Sequence, residues 1–182
     1  MNIFYLDDNP RLSAQQLCDK HVPKMLLETC QMLSTGIRSR LEVKTDSLYK
    51  IAYPKHPSTM WVGESRKHFM WALEYARAVA DEYTWRYGKM HKSERVVKWL
   101  EDNKEYIFKA FEDVEPIFTR PPQCMPDQYK QEDTIEAYRS YYYGEKKYFA
   151  KWEKGRNKPE WFKGKAIREA FKTKDETTNA TR

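Results

Sequence analysis

Apolar residues return along this chain at helical spacing in four long segments, separated by polar or proline-bearing connections. A short apolar lead-in, Met1–Leu6, comes first. Asn9 followed by Pro10 then offers an N-cap and a proline at the first helical position. From there to about Thr35, Val22, Leu26, Thr29 and Leu33 form one stripe, with Met25 and Met32 beside it. Pro23 is expected to kink this helix near Val22, and Gly36 to stop it. A second and longest helix is expected from His56-Pro57-Ser58 to a C-cap at Gly88, with Trp61, Phe69, Leu73, Ala76, Ala80 and Tyr83 at helical spacing. Its roughly 30 residues would span about 45 Å and form a spine for the others.

Ser93–Glu112 carries a third pattern (Val96, Val97, Leu100, Ile107, Phe111), with Ser93 as its cap. Pro116 to Pro126 is a loop stiffened by Pro121-Pro122. The fourth helix is expected over Glu132–Lys154, loosened midway by Gly144, and Lys158-Pro159 sets off a short helical end, Glu160–Phe171. Repeats and long strand patterns are absent from the sequence, so the expected fold is all-α: one compact domain, 1–174, around one long central helix. The tail 175–182 lacks an apolar anchor and is expected to be disordered.

With 182 residues, 40% of them hydrophobic, the chain can bury one substantial core. No apolar run approaches the ~18 residues of a membrane span, and the N-terminus lacks the shape of a signal peptide. A cytoplasmic protein without membrane contact is expected. Cys18, Cys30 and Cys124 are widely spaced and odd in number, which fits reduced thiols.

Charge is distributed unevenly. Glu145–Lys174 holds eleven Lys/Arg against four Glu, leaving 22 of the 33 basic and 23 of the 27 acidic side chains for the rest of the chain. Tyr148, Phe149, Trp152, Trp161 and Phe162 are interleaved with this positive charge. Lysines and arginines neutralise phosphates and flat rings stack on bases, so the stretch reads as a nucleic-acid-facing surface. The plainer alternative is a solvated helix face with its apolar side in the core.

Three groupings could carry chemistry. His21, Lys24, Glu28 and Gln31 fall within about 80° on the first long helix, beside the apolar stripe. A carboxylate with a lysine and an imidazole is suited to general acid–base work, although any amphipathic helix puts such residues at its rim. Arg86, Lys89, His91 and Lys92 cluster where the spine ends, as a phosphate clamp or as cations favoured by the helix dipole. His56 and Arg66 lie at and near its other end. Cys18 and His21 lack further ligands at a zinc spacing, so no metal is expected. No cofactor is expected either, and a P-loop and a G-x-S-x-G elbow are both absent from the sequence.

The layout resembles the phage and bacterial pyrimidine-dimer DNA glycosylases of the endonuclease V type. The resemblance rests on Met1-Asn2-Ile3-Phe4 leading into a helix with Ala14-Gln15-Gln16-Leu17, and on His56-Pro57 opening a helix that ends at Arg86-Tyr87-Gly88. It continues in Pro122-Gln123 with Asp127-Gln128-Tyr129, and in the close Pro159-Glu160-Trp161-Phe162-Lys163-Gly164-Lys165-Ala166. The chain is also similar to an uncharacterised phage family sharing Asp19-Lys20-His21 with Lys24 and Glu28.

The glycosylase resemblance implies an all-helical protein whose N-terminal α-amine attacks the sugar C1′ of a damaged nucleotide. A Schiff base forms, with help from a glutamate on the first helix, and strand cleavage follows. An α-amine suits this because a fair fraction of it is neutral at physiological pH. Carried onto this chain, the amine is that of Met1, since the bulky Asn2 disfavours removal of the methionine. Counting from Gln15-Gln16-Leu17 puts the family's carboxylate position near Val22-Pro23, so the role would pass to Glu28 or Asp19, with Glu28 preferred. His21 and Lys24 would orient substrate. Arg66, Arg86, Lys89, Lys163 and Lys165 would bind phosphates, with His56, His91 and Lys92 near them and Trp161 packing or stacking. The implied partner is double-stranded DNA. A non-catalytic binding module on the same scaffold, and a nucleotide-processing enzyme with an enclosed pocket at the His21–Glu28 face, are the alternatives.

Overall fold

A computed structural model describes residues 1–163. It is helical, with seven α-helices: α1 (Pro10–Gln16), α2 (His21–Arg38), α3 (Pro57–Glu64), α4 (Arg66–Tyr87), α5 (Glu94–Asp102), α6 (Lys104–Ala110) and α7 (Thr134–Lys146). Short 3₁₀ turns occupy Asp127–Tyr129 and Glu160–Lys163. The helical end beyond Lys163, the Gly164-Lys165-Ala166 close and the tail lie outside the described residues. No described helix is long and apolar enough to cross a membrane. All three cysteines are free thiols.

The helices fall where the periodicity places them, but the first three expected ones are each cut in two and the fourth ends early. The first break comes at Leu17–Lys20, not at Pro23. Pro23 stands in the first turn of α2, where its missing N–H would lack an intrahelical acceptor anyway. Tertiary partners take up the freed backbone groups: the Tyr142 hydroxyl accepts the Cys18 N–H at 2.9 Å, and Arg86 donates to Gln15 O and Leu17 O. α2 then runs on through Gly36 to Arg38. Gly36 marks a helix crossing, since a Cβ there would stand 3.6 Å from the Gly63 Cα.

The expected spine is divided at Ser65, whose hydroxyl accepts the His68 N–H and donates to Ile117 O at 2.6 Å. A capping serine fixed by the proline-rich loop outweighs helix continuity here. α4, at 22 residues, remains the longest element and packs on α1, α2, α3 and α5. The third segment splits at Asn103, whose φ of −122° and ψ of 49° leave the helix. The Ser93 hydroxyl meets Tyr49 rather than capping α5.

Asp133 caps α7, which passes unbroken through Gly144. A Cβ at Gly144 would overlap the Tyr129 ring, so glycine there permits close packing. α7 ends at Lys146, short of the expected Lys154. The chain from 147 to 163 instead forms a strap across the α1–α2 junction. Asp19 donates its N–H to Lys151 O and accepts from Glu153 N, while Trp152 donates to Gln16 O.

Ile3–Leu6 passes through the core outside any helix, with Tyr75, Tyr138 and Tyr142 among the fully buried side chains. The strap is fastened by a buried cluster in which the Arg86 guanidinium meets Glu82 at 2.9 Å and Asp19 at 3.1 Å, and Arg156 pairs with Glu82. Arg86→Ala should therefore cost about 3–5 kcal/mol in chemical denaturation, because it leaves the buried Asp19 without a charged partner and Glu82 with Arg156 alone.

Candidate active site

The buried N-terminal segment brings the start of the chain against α2. Glu28 Oε2 accepts the Asn2 backbone N–H at 3.0 Å, and the Met1 ammonium stands 3.8 Å from the same oxygen. Lys24 Nζ lies 3.9 Å from Oε1, one turn earlier on the helix. The Glu28 side chain is 15% exposed and that of Met1 only 2%, whereas Lys24 is 61% exposed. Asp19 is committed elsewhere, to Arg86 and the Glu153 N–H. Of the two candidate carboxylates, Glu28 is the one beside the amine.

A cavity of about 430 Å³ opens next to this pair. Met1, Glu28 and His21 line it with the rings of Phe4, Tyr141 and Phe149. Lys20, Lys24 and Lys146 add positive charge, Lys20 lying 5.0 Å over the Phe149 ring and Lys146 4.8 Å over Tyr141. Tyr148, also in the lining, is 84% exposed, so the cavity is open to solvent.

His21 is stacked on Phe4 at 4.8 Å and flanked by the edges of Tyr142 and Phe149. Burial, and then Lys24, Lys146 and Lys20, push its pKa down to about 3. The imidazole is neutral at pH 7, and its Nδ1 has no hydrogen-bond partner. His56 caps α3 by accepting the Ser58 N–H on Nδ1. Its pKa is lowered by partial burial and by the Met1 ammonium, with Glu28 opposing, so it belongs to the surroundings of the amine. The Tyr75 hydroxyl is buried without a partner, and burial together with the Glu28 charge raises its pKa.

The structure thus gathers Met1, His21, Lys24, Glu28 and His56, which span more than fifty residues of sequence. It does not gather the spine-end cluster with them. Arg86, expected as a phosphate clamp, is an internal residue whose side chain is fully buried. Its i,i+4 partner Glu82, on the same buried face of α4, was the available sign of that role. Lys89 and Lys92 are exposed, and His91 accepts the Ser93 N–H and packs edge-on to Tyr83. Arg66 is exposed over Phe108, beside a separate groove. Trp161 packs against Tyr142 and donates to Gln16 Oε1 at 2.6 Å. Lys163 is exposed and paired with Glu160, and Lys165 lies outside the described residues. Asn2, Tyr75, Tyr138 and Cys124 enter the site without a sequence signal, because only the fold brings the N-terminus to them.

A family model described as pyrimidine dimer DNA glycosylase matches residues 1–95, just over half of the chain. The chain belongs to this family. The matched span contains Met1, His21, Lys24, Glu28 and His56, and it ends before α7 and the strap. No curated protein and no solved structure matches the chain. Met1 and Glu28 lie within the matched span, while Tyr138, Tyr141 and Lys146 come from beyond it.

The buried neutral state of His21 has a consequence for acid stability. With the folded pKa near 3 and the unfolded value at 6.5, the unfolded chain binds the extra proton between them, so stability falls as pH drops below 6.5. His21→Phe should lose about 2 kcal/mol less than the parent between pH 7 and pH 5, read from denaturation curves at both pH values.

Proposed function

We propose that this protein is a DNA glycosylase with AP-lyase activity, in which the α-amine of Met1 is the nucleophile and Glu28 the assisting carboxylate. The observation that carries this reading is the 3.8 Å approach of the Met1 amine to Glu28 at the edge of an open, lysine-lined cavity. In the reaction the amine, freed of a proton, bonds to C1′ and the glycosidic C1′–N bond breaks, with the base leaving as its protonated form. Opening of the sugar at O4′ yields a protonated Schiff base. Loss of a C2′ proton then expels the 3′-phosphate, and hydrolysis of the imine restores the amine.

Glu28 is suited to two steps: taking a proton from the ammonium and passing it to the departing base, and then, as a carboxylate again, taking the proton from C2′. Lys24 and the neutral His21 would orient the sugar, and Lys20, Lys24 and Lys146 would hold flanking phosphates. The aromatic lining offers a face on which a displaced base can stack. The three lysines lining the cavity favour a polymeric anion, double-stranded DNA, over a free nucleoside, which carries no phosphate. The nearness of amine and carboxylate favours an enzyme over a non-catalytic binding module.

The test is borohydride trapping on duplexes carrying an abasic site or a thymine dimer, with intact duplex as control. A covalent adduct is expected with one or both lesions. It should vanish after N-terminal acetylation, and Glu28→Gln should slow it by about 10²–10⁴-fold. An acetylated protein that still forms the adduct would remove Met1 from the mechanism. Salt-sensitive binding without any adduct would leave only the binding module.

A further inference from the structure

Chain termini ordinarily fray, yet residue 2 of this protein is tied at three points. Its backbone N–H donates to Glu28 Oε2 at 3.0 Å. Its side-chain Nδ2 donates to the Cys124 carbonyl at 3.0 Å, and its Oδ1 accepts from the Tyr138 hydroxyl at 2.9 Å. Both ends of the carboxamide are thus used. Tyr138 is fully buried on α7; its hydroxyl accepts the Cys124 N–H and shares its single proton between Asn2 Oδ1 and Pro122 O, the latter 2.7 Å away. Cys124 is braced in turn by a 3.4 Å contact between its thiol and the Ser58 hydroxyl on α3. The anchor therefore belongs to a network reaching α3, the proline-rich loop and α7, and is not a loose surface contact.

Met1 adds a fourth attachment. Its side chain is 2% exposed and packs on the hydrophobic core. Removing the methionine would empty that space and move the free amine to the nitrogen of Asn2, where the structure has an amide.

We infer that Asn2 is a positioning residue that, through Tyr138 and Cys124, sets where the amine of a retained Met1 stands against Glu28. This rests on the proposed role of Met1 as nucleophile. The physical reason is that attack on C1′ needs the nitrogen placed to within a fraction of an ångström, and a misplacement of about 1 Å costs on the order of 10²-fold in rate. A terminal residue held only by a 3.8 Å ion pair would not meet that demand. The division of labour also follows the family match: residues 1–95 carry the amine and Glu28, and the anchor on Asn2 comes from the other half of the chain.

The experiment compares the parent protein with Asn2→Asp and Tyr138→Phe in single-turnover trapping on an abasic duplex. Binding to the same duplex is measured alongside, and the adduct is located by peptide mass mapping. Asn2→Asp keeps the side chain's size, and with it the methionine, but replaces the donor to Cys124 O. Tyr138→Phe removes the hydroxyl. The expected result is a parental adduct on an intact Met1, with both variants trapping about 10²-fold more slowly at unchanged duplex affinity. A merely structural role would lower melting temperature without this split between rate and binding. If Tyr138→Phe fails to fold, Asn2→Asp alone decides. Variants that trap at the parental rate, or an active parent lacking Met1, would overturn the positioning role and leave the glycosylase reading standing. A parent that forms no adduct at all would overturn both.

Discussion

A non-helical segment buried in a helical protein has to satisfy its backbone polar groups without a neighbouring strand, and the N-terminus of this chain does so largely with side chains. Glu28 accepts the Asn2 N–H, Ser13 bridges Phe4 O and Leu6 N, and Arg139 donates to Leu6 O. These partners come from α2, α1 and α7, so the path of six residues determines how three helices sit around them. The same requirement places the first residue of the chain beside the carboxylate of Glu28. The stability of the core and the geometry of the candidate site thus share one set of hydrogen bonds.

Charge in the site is arranged around that contact. One carboxylate faces the terminal ammonium, three lysines line the cavity, and the imidazole of His21 is held neutral by burial. The excess positive charge suits a polyanion, while Glu28 is the carboxylate that faces the amine. The basic C-terminal stretch contributes to this only in part. Lys146 reaches the cavity, but Arg156 is bound to Glu82, Lys163 to Glu160, and Lys154 sits over the Tyr87 ring. Its aromatic residues Trp152, Trp161 and Phe162 pack on one another across the α1–α2 junction. The stretch therefore divides: some of its side chains cover the core, and Lys146, Tyr148 and Phe149 line the cavity.

The helical class, the approximate place of every helix, and the grouping of His21, Lys24 and Glu28 on one face were all legible in the sequence. Each follows from local spacing at 3.6 residues per turn, which the fold does not alter. The nomination of Met1 came from the N-terminal resemblance to the glycosylase family. The helix breaks at Leu17–Lys20, Ser65 and Asn103 were not legible, because two of them depend on distant partners: Tyr142 and Lys151 at the first, Ile117 at the second. Pro23 and Gly36 misled for the complementary reason. A proline in a first turn and a glycine at a helix crossing look, in one dimension, like a kink and a stop.

Only the tertiary structure shows which of Glu28 and Asp19 stands beside the amine. Both carboxylates lie on or beside the same helix, but a buried arginine claims Asp19 and the N-terminus claims Glu28. It also turned Arg86 from a surface cation into an internal one and drew His56 to the amine. Sequence determines which residues share a helix face, since that depends on the backbone's own period. Which of those faces meets the chain's first residue depends on packing among segments more than a hundred residues apart, and only the folded core specifies it.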